Sequence, residues 1–164
     1  RDRVRRAGTR PLRARYARRL MRVDFYQLSR GPVERELPPL ARRVLETGQR
    51  LLVVSADQAQ LARIDEGLWA GKQRFLAHGR AGEPHQERQP ILLSGELEPA
   101  NSARFVALAD GRWRDEVAGF ERVFLFFDLA TIDDARATWR LLKGREGLEQ
   151  HYWEQQDKGW HQAA

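Results

Sequence analysis

The sequence predicts an α/β domain of three layers, α/β/α, around a mainly parallel sheet, with a mixed sheet as the nearest variant. Three observations carry this expectation. Two continuous apolar runs, LLVVSA at 51–56 and VFLFF at 123–127, are too short for helices and rich in β-branched and aromatic residues, the profile of strands buried on both faces. Each run ends at polar residues able to cap a helix, and apolar residues spaced three and four apart follow. Strand and helix patterns then alternate from residue 21 onward, which favours a parallel sheet covered on both sides.

Taken in order, Val23, Phe25 and Leu28 make a first strand, stopped by Gly31-Pro32. Leu37, Leu40, Val44 and Leu45 mark a helix running to Gly48, in which Pro38 and Pro39 are tolerated only near the start. After the strand at 51–56, Asp57 caps a helix carrying Ala59, Leu61, Ile64, Leu68 and Trp69. Phe75-Leu76 is expected as a short strand and the polar stretch 78–89 as a loop. PILLS at 90–94 follows, then a strand, ARFVALAD at 103–110, ending in a turn at Asp110-Gly111. Beyond the strand at 123–127, Thr131 or Asp133 caps a helix whose apolar face is Ile132, Ala135, Trp139 and Leu142. Arg136, Arg140 and Lys143 keep the same spacing and form a cationic stripe along its edge, a dock for an acidic peptide with an apolar end. The tail, 147–164, sets Tyr152, Trp153 and Trp160 among polar residues and is expected as a short helix packed by its aromatics.

The formal net charge of +6 suggests a nucleic-acid binder until it is divided along the chain. Residues 1–20 hold nine arginines against Asp2 alone, whereas the remaining 144 residues hold 20 basic and 22 acidic side chains. The basicity belongs to the leader, and the part that folds, residues 21–164, is a slightly acidic single domain. The leader has almost nothing apolar to bury and is expected to be disordered; it is either a basic arm for nucleic acid or the product of a start site placed ahead of Met21. With no cysteine, disulfides and thiolate metal sites are excluded, and no apolar run approaches the ~20 residues of a membrane span.

The chemistry usual for this fold class is missing from the motifs. No GxxxxGK[ST] or GxGxxG follows a strand, and Asp57-Gln58 stands where a phosphate turn would belong. Ser29, Ser55, Ser94 and Ser102 lack a nucleophile elbow. His78 and His85, near Glu83 and Glu87, have no metal-ligand spacing. Asp133 and Asp134 are adjacent, point to different sides of a helix and cannot flank a substrate. No catalytic residue, cofactor or metal is expected, and binding remains.

From Met21 onward the chain resembles the chi subunit family of bacterial DNA polymerase III. The resemblance rests on VDFYQL, RLLVVSAD, RIDEGLW, FLAHG, PILL and FERVFLFFD followed by AR-x-x-W-R, in order and nearly spanning 21–160. It implies a non-catalytic, cytoplasmic accessory subunit of the clamp-loader assembly, with a nucleotide-binding-like fold that uses no nucleotide. It implies three protein partners: the psi subunit or another clamp-loader component, the acidic C-terminal tail of single-stranded DNA-binding protein, and in some members a helicase-like repair protein. DNA would be met mainly through these partners. The family's tail-binding pattern A-R-x-x-Y-K reads here Ala135-Arg136-Ala137-Thr138-Trp139-Arg140, which retains the aromatic and both cations. A family lysine one turn earlier is Ile132 here, so the resemblance implies either a weaker grip or compensation by Lys143. The psi-facing surface would use Trp69 and Phe75. Spacing alone leaves a plainer alternative, with Trp139 and Trp69 in the core and the arginines solvated. Two rival functions stand beside this one: direct nucleic-acid binding through the leader, and a small nucleotide-dependent α/β enzyme.

Overall fold

The computed structural model describes residues 20–71 and 75–164. The expectations for the arginine-rich leader concern residues outside these, Leu20 apart. The described elements are β1 (Met21–Gln27), α1 (Val33–Glu46), β2 (Leu51–Val54), α2 (Gln58–Trp69), β3 (His78–Arg80), β4 (Ile91–Ser94), β5 (Phe105–Leu108), β6 (Arg122–Phe127), α3 (Ile132–Leu142), β7 (Leu148–Gln156) and β8 (Gly159–Gln162), with short 3-10 turns at Gln86–Arg88 and Asp115–Gly119. They build one eight-stranded sheet in the order β3-β4-β2-β5-β6-β1-β7-β8. Every neighbouring pair is parallel except β7 with β8. The fold is thus α/β with a mixed, mainly parallel sheet.

Direction of travel decides which face each helix covers. From β1 to β2 and from β2 to β3 the chain moves toward one edge, whereas from β6 to β7 it moves toward the other. Right-handed crossovers then require α1 and α2 on one face and α3 on the opposite one. The core divides accordingly. Tyr26, Val53, Phe124 and Phe126 pack with α1 and α2, while Phe25, Val54, Leu125 and Phe127 pack with α3. Each central strand feeds both layers by strict alternation, so its apolar run is continuous.

The helix starts follow local chemistry. Asp57 caps α2, its Oδ1 accepting from the Ala59 and Gln60 N–H groups at 2.9 and 3.3 Å. Before α3, Asp128 accepts from the N–H of Ala130 and Thr131, and Thr131 takes the N-cap position. Helix α1 begins at Val33, so Pro38 and Pro39 lie inside it rather than near its start. Pro38 has no N–H to give the Glu34 carbonyl. The backbone of α2 closes on that freed carbonyl at Gly67, where a Cβ would stand 2.4 Å from the Glu34 oxygen.

Two sequence expectations are corrected. The tail is a hairpin of β7 and β8, not a helix. Its aromatics follow a strand period: Tyr152 packs on the α3 side, and Trp153 and Trp160 on the α1 side. The polar residues between them face solvent on a strand near the sheet edge, which removes the alternation signal. Phe75-Leu76 is not a strand; the edge strand is His78–Arg80, within the stretch expected as a loop. HGR has no apolar pattern of its own, and pairing with β4 makes it a strand.

At the sheet centre, burial pushes the Tyr26 phenol up from 10.0 to about 12, with the Asp24 carboxylate adding to the effect against Arg122, Arg43 and Arg22. A raised folded value favours the protonated form, so this stability is whole below pH ~10 and lost as pH rises toward ~12, about 2–3 kcal/mol in all. Urea titrations at several alkaline pH values are expected to show the decline, and Tyr26→Phe to lack it. At the α1–α2 contact, Gly67→Ala is expected to cost about 1–3 kcal/mol through overpacking on the Glu34 carbonyl. Chemical denaturation would measure that cost, and an unchanged midpoint would refute the close approach.

Candidate functional site

The reversal in direction of travel leaves a crevice outside the carboxyl ends of β1 and β6, the place where open α/β sheets usually take ligands. Its volume is about 570 Å³. Glu34, Asp110 and Asp128 line it against Arg63, which pairs with Glu34 at 3.3 Å. Burial opposes ionisation of Asp110, but Arg114 at 2.8 Å and the Ala56 N–H outweigh it and hold the carboxyl below its ordinary value. A crevice with this excess of carboxylates repels phosphate. Ser55, whose hydroxyl donates to Gln60 Oε1 at 2.5 Å, is fully buried and faces no substrate.

Helix α3 lies on the other face and packs through Ala135 and Leu142. Trp139 is half-buried. One part of its ring meets Phe25 edge-on at 5.1 Å and Tyr152 at 5.8 Å, and the rest reaches the surface. Arg136, Arg140 and Lys143 are exposed, and among the described residues they form no ion pair. Ile132, one turn before Arg136, is half-buried beside the same core. The four residues named from the sequence are therefore one surface: an indole wall with a cationic stripe alongside it.

Tyr152 belongs to this surface and escaped the sequence reading, which placed it on a tail helix. Its hydroxyl donates to Gln27 Oε1 at 2.5 Å. Burial and then Glu154 raise its pKa, and Arg136 lowers it, so the α3 stripe acts on the phenol from across the contact. The usable signal was spacing, since Tyr152 and Trp153 point to opposite faces only on a strand.

Trp69 and Phe75 form a second surface at the β3 edge of the sheet. They are 60% and 68% exposed, yet their rings sit 5.0 Å apart. His78 completes the cluster, 5.0 Å from Trp69. The His78 side chain is buried, its Nδ1 donating to the Leu76 carbonyl at 2.8 Å and its Nε2 facing Asp65 Oδ1 at 2.5 Å. It is therefore a support for the aromatic pair, not a solvated loop residue. Two large exposed aromatics in contact, on a buried footing, have the character of an interface anchor.

The domain is thus an α/β module with an acidic crevice where a nucleotide would sit and two exposed surfaces of distinct chemistry elsewhere. Comparison with known proteins gives the particular family. The family model for the DNA polymerase III chi subunit, HolC, matches residues 20–150, and the chain belongs to that family. Its members are accessory, non-catalytic subunits of DNA polymerase III. The chain is also 28% identical over 78 residues to DNA polymerase III subunit chi of Escherichia coli (strain K12), a match covering 47% of this chain and 53% of the relative. The chain thus spans about half the length of the curated relative it matches. Among the described residues no helix is long and apolar enough to cross a membrane.

The two surfaces differ in what they give the fold. Trp139→Ala is expected to cost about 2 kcal/mol, because it leaves a gap against Phe25 and Tyr152. A Trp69→Ala/Phe75→Ala double variant is expected to change stability by less than about 1 kcal/mol. Urea denaturation would measure both, and the reverse order would make the second pair structural.

Proposed function

We propose that this chain is a linking subunit of the replicative polymerase, holding single-stranded DNA-binding protein by its acidic C-terminal tail on α3. The Trp69–Phe75 surface docks a psi-type subunit or another clamp-loader component, and a helicase-like repair protein competes there. DNA is reached through these partners, in the bacterial cytoplasm. The observation that carries this reading is the α3 stripe: three exposed cations without partners among the described residues, beside an indole open on one side. Arg136 and Arg140 suit tail carboxylates because a guanidinium offers two parallel N–H donors. The free side of Trp139 suits the apolar terminal residue.

The crevice chemistry disfavours the nucleotide-enzyme alternative, since its carboxylates outnumber Arg63. The leader-dependent nucleic-acid alternative rests on residues outside those described.

Arg136→Ala/Arg140→Ala is expected to weaken binding of an acidic, apolar-ended peptide by about ten- to a hundredfold and to flatten its salt dependence. Ile132→Lys adds a cation whose stem can lie along the half-buried site, and is expected to tighten binding several-fold. Calorimetric titration at low and moderate salt measures both. Unchanged affinity in the arginine variant removes α3 from the binding surface.

A further inference from the structure

A second concave site lies on the face of the sheet opposite α3, under α1, where the sequence motifs placed no role. It is a cavity of about 200 Å³ with a floor of Leu40, Val44, Phe105 and Phe124. Four lining residues carry polar groups, Arg43, Arg122, Tyr26 and Thr47, of which Thr47 spends its hydroxyl on the Val44 carbonyl at 2.6 Å. Tyr26 is only 6% exposed, and among the described residues its hydroxyl has no hydrogen-bond partner. The hydroxyl itself keeps contact with solvent, so it is a donor open to a ligand atom that enters the cavity. Arg43 lines the same cavity as Tyr26, and its charge acts on the Tyr26 phenol. Arg43 is exposed and forms no ion pair among the described residues.

Arg122 is held for the same purpose. Its Nε donates to Asp24 Oδ2 at 2.9 Å and its guanidinium lies 4.7 Å over the Phe124 ring, so the head is fixed while its terminal nitrogens are unengaged among the described residues. Asp24 does not compete for a ligand's place. It is fully buried, and it already accepts from Arg22, Arg122 and the Trp153 indole.

We propose that this cavity binds a compact organic carboxylate with an aromatic or branched apolar body, its carboxylate against Arg43, Arg122 and the Tyr26 hydroxyl. Size and shape exclude the larger anions. The volume is below the roughly 300 Å³ at which pockets begin to hold drug-sized ligands, so a nucleotide does not fit. The Phe124 and Tyr26 rings are buried and offer no open platform for stacking a nucleobase. Inorganic anions would leave the apolar floor wet. The same chemistry is presented by a free aryl carboxylate and by the C-terminal residue of a peptide. The site is separate from α3 and does not rest on the proposed tail binding.

The test titrates the full chain, isotope-labelled, with benzoate, with N-acetylphenylalanine and with N-acetylphenylalanine amide, following backbone amide shifts. Saturable binding of benzoate is expected, with shifts on α1, β1 and β6, about tenfold weaker in Arg43→Ala and several-fold weaker in Tyr26→Phe. Arg136→Ala/Arg140→Ala should bind it as the parent does. The amide, lacking the anion, should not bind. Binding of benzoate alone identifies a free carboxylate as the ligand, and binding of N-acetylphenylalanine as well admits a chain terminus. No saturable binding, equal binding of the amide, shifts confined to α3, or indifference to Arg43→Ala would each overturn the proposal. A failure here leaves the α3 reading untouched, and loss of tail binding leaves this one untouched.

Discussion

Asp24 is the constraint around which the middle of the sheet is arranged. It sits on β1 with no solvent exposure, and donors reach it from three strands: Arg22 beside it, Arg122 on β6 and Trp153 on β7. A buried carboxylate is tolerable only when such donors saturate it. The same contacts tie the last parallel strands together where no helix crosses on the α1 side. Tyr26, Trp153 and Trp160 cluster over the gap, Tyr26 stacking on Trp153 at 6.1 Å and meeting Trp160 edge-on at 4.9 Å. The hairpin of β7 and β8 therefore does the covering that a further helix does in longer α/β sheets.

That arrangement explains both what the fold resembles and what it does not do. The crevice at the carboxyl ends of β1 and β6 has the position of a nucleotide site, but its turn residues serve the chain itself. Asp128 holds the start of α3, Asp57 holds the start of α2, and Asp110 joins Arg114 to the Ala56 N–H. These carboxylates are spent on caps and turns, in the place where a phosphate site needs unpaired N–H groups. The exposed cationic and aromatic side chains lie instead on the outer helices and near the sheet edges.

How far the sequence could be read follows from how much each element depends on distant residues. Strands β2 and β6 and helices α2 and α3 were legible because each carries its own apolar period, and because Asp57 caps within its own turn. Strand β3 was not, because HGR becomes a strand only against β4. The β7–β8 hairpin was not, because its two faces meet different layers and its polar positions match a surface helix equally well. Asp24 reads as the solvent-facing residue of an alternating strand until Arg122 and Trp153, 98 and 129 residues away, are known to converge on it. Among the site residues, Arg136, Trp139, Arg140 and Lys143 share one helix, and helical spacing was enough to group them. Tyr152 and His78 joined their surfaces through strand pairing, which no local pattern announces.

The placement of the two exposed surfaces bears on the linking role proposed above. Trp69 and Phe75 stand by β3 at one end of the sheet, and α3 packs on β1 and β7 toward the other. Six strand intervals separate β3 from β7, roughly 29 Å at the usual spacing. The helices that carry them, α2 and α3, also cover opposite faces. The two surfaces share no residue, which suits the two separate docking positions proposed above. On the proposed reading, a sheet whose central strands are buried on both faces would fix the distance from one partner to the other, which a flexible tether would leave undefined. A scaffold whose crevice carboxylates serve its own turns, and whose exposed aromatic and cationic surfaces lie toward opposite ends of the sheet, suits the proposed role of holding other proteins at a set separation.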